Sequence, residues 1–390
     1  MSEPASTLER ERIDVSGELG PAATTRATAL WAWLRPRWAI VAVLVAFFAT
    51  TLVVPALTPV ATTDDWAYAR SAEILLQDHV LRIFPVVAAT AVFPVVWGAL
   101  FGAVFGPSFG VFRLSTVVIT AIGGWALYGL CRELGVSRGR GTLGAAASLF
   151  NPLAFVLAFT FMTDSFFTAV LIVATYCTVR GLGAERDDGR WLVAGSGAAA
   201  LALLTRQQGA LIPLAIAIFL LVTGRLRPNR VGLATLLQIG ALPVAAGVGY
   251  LLWLRFVNDV PSVQQSFLRE AAAEGWAGTW WLLRRLTYAA LAYIGLFALP
   301  IAVAALPAGR RLLARMTGRG RLVFALWEGV LLLGVGAAWT AGRRMPYLSQ
   351  FFGSGGLGPS DVLGSRPHFF DLNALGWLTV VCVGASLLLA

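Results

Sequence analysis

Residues 191–224 read WLVAGSGAAALALLTRQQGALIPLAIAIFLLVTG. Two charge-free apolar runs, 191–205 and 208–224, flank one polar turn, Leu204-Thr205-Arg206-Gln207-Gln208-Gly209. Neither run alternates apolar with polar residues, so both predict helices and not strands. A hydrocarbon core about 30 Å thick takes roughly 20 helical residues to cross. At 1.5 Å per residue the first covers only about 22 Å, which predicts that the turn dips below the membrane surface. An arginine held at that depth is costly unless paired. A lipid phosphate and a protein carboxylate are both suitable partners, and the turn by itself does not choose between them.

The same alternation continues through the chain. Segments 38–60, 112–131, 142–162, 165–180, 231–254, 286–307, 322–341 and 372–390 join the two above to give ten predicted spans. Of 390 residues 58% are hydrophobic and 13% charged, and the mean hydropathy is +0.75. A water-soluble domain of this length cannot carry that composition on its surface. The expected class is an all-α polytopic membrane protein, because the runs are continuously apolar, unlike the alternating strands of a barrel. Residues 1–30 are polar and read as a disordered cytoplasmic tail, with a membrane domain over 31–390. Cys131, Cys177 and Cys382 lie in separate apolar runs, which excludes a readable disulfide or CxxC metal framework.

The net charge of +10 comes from arginines in short loops, not from a basic soluble surface, so nucleic acid is not an expected partner. Those loops set the topology. With the tail inside and the run Phe84–Phe112 failing to cross, the basic loops around Arg132–Arg140, Arg180–Arg190, Arg225–Arg230 and Arg310–Arg321 all fall on the cytoplasmic side. The run at 84–112 carries Pro85, Pro94 and Pro107 together with Gly98, Gly102, Gly106 and Gly110, which predicts in-plane or re-entrant helices within a long first outer loop. Outer loops then cover 61–111, 255–285 and 342–371.

The outer regions hold the candidate chemistry. Thr62-Thr63-Asp64-Asp65-Trp66-Ala67-Tyr68 places adjacent carboxylates just after the first span. A helix N-terminus accounts for such a pair without any function. Asp164, in Phe161-Met162-Thr163-Asp164, falls on the same side and also admits a capping role. Arg343 and Arg344 precede the glycine-rich loop Gly353-Ser354-Gly355-Gly356-Leu357-Gly358-Pro359, whose backbone could approach a phosphate. Glu328 lies inside a predicted span near its cytoplasmic end, where snorkelling or pairing with Arg321 accounts for it more simply than a proton path.

In order and spacing these elements resemble the bacterial membrane glycosyltransferases of family 39, relatives of the protein O-mannosyltransferases and of the lipid A aminoarabinose transferase. The resemblance covers roughly residues 38–360. It rests on the acidic pair after the first helix, Trp97-Gly98-Ala99-Leu100-Phe101, Asn151-Pro152 leading to Phe161-Met162-Thr163-Asp164, Leu204-Thr205-Arg206-Gln207, and Gly356-Leu357-Gly358-Pro359. It implies a GT-C type helix bundle, catalytic carboxylates at Asp64, Asp65 and Asp164, and donor phosphate contacts from Arg206, Arg343 and Arg344. Asp stands at the second position of the pair where many relatives have Glu, which leaves the base open between Asp64 and Asp65. Relatives often extend further, so an end at Ala390 within an apolar run suits a truncated or naturally short member.

The activity so implied is transfer of a sugar from a polyprenyl-phosphate donor to a hydroxyl of a glycan, lipid or protein on the extracytoplasmic face. A polyprenyl phosphate departs as a stable anion without a general acid, so one base suffices, and backside attack inverts the anomeric carbon. No cofactor is expected, because His79 and His368 have no ligand spacing with the acids. The competing class is a multispan transporter of a lipid or small solute. Such proteins place ionisable groups near the midplane and often carry inverted repeats, and neither pattern is evident here.

Overall fold

The computed structural model describes residues 35–54, 61, 64–183, 188–226 and 229–266, with short stretches between 269 and 333 and at 352–353 and 356–357. Within them the regular structure is helical apart from one two-residue antiparallel pair, Phe352–Gly353 with Gly356–Leu357. Helix α1 (Trp38–Ala49) runs into a 3-10 turn at Thr50–Leu52 and is followed by α2 (Asp65–Asp78), α3 (Val92–Phe105) and α4 (Phe109–Glu133). Next come α5 (Arg138–Leu149), α6 (Pro152–Ala158), α7 (Thr163–Gly183) and α8 (Gly189–Leu203). A 3-10 turn at Gln207–Ala210 leads into α9 (Leu211–Val222), and α10 (Arg230–Trp253) ends in a π turn at Leu254–Asn258.

Among the described residues three helices are long and apolar enough to cross a membrane: Phe109–Glu133, Thr163–Gly183 and Arg230–Asn258. They match the predicted spans 112–131, 165–180 and 231–254, and the protein is a membrane protein of the all-α class. The pair flanking Arg206 is short, at 15 residues for α8 and 12 for α9. The run at 84–112 is broken as expected: coil to Ala91, then α3, then α4, whose start is capped by Ser108 accepting from Val111 N at 3.2 Å. Two spans differ from expectation. The 142–162 run is two helices, α5 and α6, because Pro152 cannot continue the first; the Asn151 side chain accepts from Ala154 N at 3.3 Å at the start of the second. The 38–60 run loses α-helical form at Thr50, where Thr50 and Thr51 hydroxyls donate to the Phe47 and Phe48 carbonyls. Predicted spans 286–307, 322–341 and 372–390 lie wholly or mostly outside the described residues. Glu328 is not paired with Arg321, which instead donates to the carbonyls of Met316 and Ala314.

Helix α7 is the centre of the bundle, packed on α4 and α8, with α10 against the far side of α8. Small residues allow these approaches, since lipid offers helices no hydrophobic drive to associate. A Cβ at Gly123 of α4 would stand 2.9 Å from the Ala169 Cα of α7. The α8–α10 contact uses a broken backbone bond. Pro243 lies inside α10 and has no N–H for the Ile239 carbonyl four residues back, and the Ser196 hydroxyl of α8 donates to that carbonyl at 2.8 Å. An aromatic core fastens α2 and α3 to this frame. Phe112 and Phe161 stack with centroids 5.2 Å apart, Phe166 meets Phe161 edge-on, and Phe93 of α3 meets Phe166. Tyr68, Ala72 and Val95 complete the cluster.

Candidate functional site

Asp64 and Asp65 open α2, and the helix turns them in different directions. Buried Asp65, Tyr68, Ala69 and Ala72 follow the i, i+3, i+4, i+7 spacing of one helical face, whereas Asp64 is exposed at the N-cap position. Asp65 is fully buried, and Arg113, from the second turn of α4 and 3% exposed, directs Nη2 and Nε to its Oδ2 at 2.9 and 3.1 Å. The Arg113 guanidinium also lies 5.6 Å from the Phe109 ring centroid. This desolvated pair ties α2 to α4. A buried charge is tolerated where a hydrogen-bonded counter-ion meets it, and neither partner can be removed alone without stranding the other. Sequence reading missed Arg113. The available signal was a lone arginine near the start of an otherwise apolar helix, which requires a partner.

Asp164 stands in the first turn of α7, and Arg206 precedes the 3-10 turn between α8 and α9. Arg206 Nη1 donates to Asp164 Oδ1 at 2.7 Å, with both side chains about one-third exposed. The structure thus contains the acid partner that was one of two alternatives for Arg206. The turn that carries it is fixed from the neighbouring coil. Leu204 O accepts from Phe93 N at 3.0 Å, Thr205 O from Ala91 N at 3.1 Å, Leu203 O from Thr90 Oγ1 at 2.7 Å, and Gln207 Nε2 donates to Ala88 O at 3.0 Å. On its other side the same coil is held by Gln264, which donates to Val87 O and Ala89 O, and by Asn258 Oδ1, which accepts from Ile83 N at 2.8 Å.

Tyr68 is coupled to the Asp164–Arg206 pair and to Asp64. Burial pushes its phenol above the usual tyrosine range; the Thr163 hydroxyl beside it and the Arg206 guanidinium oppose that shift, and Asp164 and Asp64 add to it. One phenol therefore senses all the charged groups except the sequestered pair. Thr163 Oγ1 is buried and completes no hydrogen bond of normal geometry among the described residues. The Thr163-Asp164 corner is in turn shaped by Gly98 of α3, where an added Cβ would lie 2.4 Å from Phe161 Cζ. Trp97 Nε1 anchors the same helix to Ser115 O at 3.0 Å. Two motifs distant in sequence, Trp97-Gly98 and Phe161-Met162-Thr163-Asp164, are one packing unit.

Asp64, Asp164 and Arg206 come from three elements and all act electrostatically on the Tyr68 phenol, while Asp65 is buried against Arg113. Arg343 and Arg344 lie outside the described residues. The arrangement offers an exposed carboxylate, an ion pair about one-third exposed and a buried, neutral phenol. That suits chemistry in which a hydroxyl loses a proton beside an anionic leaving group.

Residues 89–253 match the family model described as dolichyl-phosphate-mannose-protein mannosyltransferase. The matched segment holds Arg113, Asp164 and Arg206, and begins beyond Asp64 and Asp65. No curated protein matches the chain. Among solved structures, the crystal structure of ArnT from Cupriavidus metallidurans bound to undecaprenyl phosphate is 16% identical, with a TM-score of 0.43; the match covers 88% of this chain. The chain spans 58% of the length of that protein. From the coil before α3 to the end of α10, the chain carries the pattern of the dolichyl-phosphate-mannose-protein mannosyltransferase family, in keeping with the resemblance drawn from its acids and turns.

Proposed function

We propose that this protein is a multi-pass membrane glycosyltransferase that moves a sugar from a polyprenyl-phosphate donor to an acceptor hydroxyl on the extracytoplasmic face, with inversion. The observation that carries this reading is the Asp164–Arg206 ion pair, whose charges act together with that of exposed Asp64 on one phenol, Tyr68. Asp64 is the general base, because Asp65 is neutralised by Arg113 in a site closed to substrate. The acceptor oxygen bonds to the anomeric carbon as the bond from that carbon to the phosphate oxygen breaks. Its proton passes to the Asp64 carboxylate, and the polyprenyl phosphate leaves as an anion that requires no general acid.

Arg206 holds the departing phosphate. A guanidinium has five N–H donors, and the bond to Asp164 uses one of them, so a phosphate oxygen can be bound while Asp164 keeps the fork oriented. Arg343 and Arg344 supply further positive charge to the carrier. Tyr68, kept neutral, is a hydrogen-bond donor next to the carboxylates at neutral pH.

The test is reconstitution of the full chain into vesicles with radiolabelled undecaprenyl-phosphate-linked sugars, scored for transfer to lipid, glycan and protein fractions. Asp64→Asn should lower turnover by about 10²- to 10⁴-fold with little change in donor binding. Vesicle transport of the donor without any transfer would replace this reading with a carrier function.

A further inference from the structure

We infer that the cleft between α4, α5, α6 and α7, which ends at Asp164, binds one pyranose ring of a substrate. The inference rests on the glycosyl-transfer reading above and specifies what the same site holds beside the carrier phosphate. The cleft has about 60 Å³ open to the centres of water molecules. At about 10–15 Å³ per water position this is room for about four to six waters, or about 120–180 Å³ of liquid, comparable with one sugar ring.

Its lining distinguishes it from a packing defect. Several threonines on the apolar helices satisfy their hydroxyls by donating to a carbonyl four residues back, as Thr120 in this cleft does to Thr116 O at 2.7 Å, Thr175 to Leu171 O at 2.8 Å and Thr235 to Val231 O at 3.1 Å. Ser148, Ser165 and Thr168 line the cleft and make no such bond among the described residues. Hydroxyls left open on apolar helices are costly unless a ligand or water meets them. Ser165 and Thr168 lie next to Asp164 and one turn along the same helix, so they form a short polar ladder leading away from the carboxylate. Leu149 of α5 and Leu157 of α6, across from this helix, are apolar, as is Ile172 one turn beyond Thr168. A pyranose has this division of surface, with hydroxyls at the rim and C–H groups on the faces, and few other groups of that size do. The ring belongs either to the donor, as the sugar being transferred, or to the acceptor. Both present the same chemistry.

The triple variant Ser148→Ala, Ser165→Ala, Thr168→Val keeps volume nearly constant, removes the three hydroxyls and leaves Asp164 in place. Affinities for undecaprenyl phosphate and for undecaprenyl-phosphate-linked mannose, glucose and galactose would be measured on purified full-length protein. Binding of the methyl pyranosides would be followed by saturation-transfer NMR with undecaprenyl phosphate bound. With a donor ring in the cleft, the variant binds bare undecaprenyl phosphate as the wild type does but loses on the order of tenfold for its best sugar-linked form. With an acceptor ring, donor affinities are unchanged and the methyl pyranoside signal is lost. Wild-type behaviour of the variant in both measurements overturns the assignment while leaving the glycosyl-transfer reading intact. Failure of the wild type to bind undecaprenyl phosphate in any form overturns that reading, and the cleft assignment with it.

Discussion

Asp65→Asn and Asp64→Asn should separate stability from turnover, although the two residues are adjacent. In the first variant Arg113 keeps its charge at 3% exposure and loses the carboxylate that compensates it. Stranding a buried charge in this way costs about 3–5 kcal/mol, a large share of a typical net stability of about 5–15 kcal/mol. The thermal midpoint, followed by intrinsic tryptophan fluorescence in detergent, should fall well below that of the wild type. Asp64 is exposed, so its loss should cost less stability than that of the buried Asp65. Turnover in that variant should drop about 10²- to 10⁴-fold. A second comparison isolates the charge. Asp65→Asn combined with Arg113→Gln retains hydrogen-bonding shape without ionisation and should recover most of the lost stability. Wild-type stability with lost turnover in Asp65→Asn, beside full turnover in Asp64→Asn, would refute this division and make Asp65 the catalytic carboxylate.

Four further outcomes follow from the geometry. Arg206→Gln should weaken binding of undecaprenyl phosphate, measured by titration, whereas Asp164→Asn should leave it equal or tighter if the carboxylate competes with phosphate for the guanidinium. Equal weakening in both would make the pair a single positioning unit. The Tyr68 phenol holds its proton in the folded protein at pH values where the unfolded chain, titrating near 10.0, has released it, so stability should fall as pH rises above 10.0. Tyr68→Phe should blunt that alkaline loss in unfolding midpoints measured across the range. Gly98→Ala should cost about 1–3 kcal/mol by driving Phe161 from its place, and turnover should fall with the displaced Thr163-Asp164 corner. A cysteine at Ser108 should react with an impermeant thiol reagent from outside in oriented vesicles; reaction only from the cytoplasmic face would reverse the topology.

The apolar bundle was legible because burial in lipid leaves a simple mark, long charge-free runs, and the breaks were legible where proline intervened. At Asn151-Pro152 that mark was under-read. A proline that fits the first turn of a helix also prevents the preceding helix from running through it, so the 142–162 run had to be two elements. The strapping of residues 83–91 to the Leu203–Gln207 turn and to Asn258–Gln264 was not legible, since it runs largely through backbone carbonyls that every residue possesses.

At the site, the adjacent acids could have been told apart. Asp65 shares its face with Tyr68, Ala69 and Ala72, an apolar stripe that places the second aspartate in the core and its neighbour about 100° away. A buried aspartate next requires a buried cation, and Arg113 is an arginine with no basic loop around it. Periodicity yields the need for a partner on each side, but not the pairing, because the two residues are 48 apart in sequence and meet through the docking of α2 on α4. Arg206 presents the same problem with more candidates. Its cost at that depth requires an anion, and three carboxylates and a lipid phosphate all qualify by charge. The ion pairs decide: Asp164 is the carboxylate at 2.7 Å from Arg206, Asp65 is bound by Arg113, and Asp64 is exposed. The same division leaves Asp64 as the exposed acid of the three, which is the property that the proposed proton transfer to it requires.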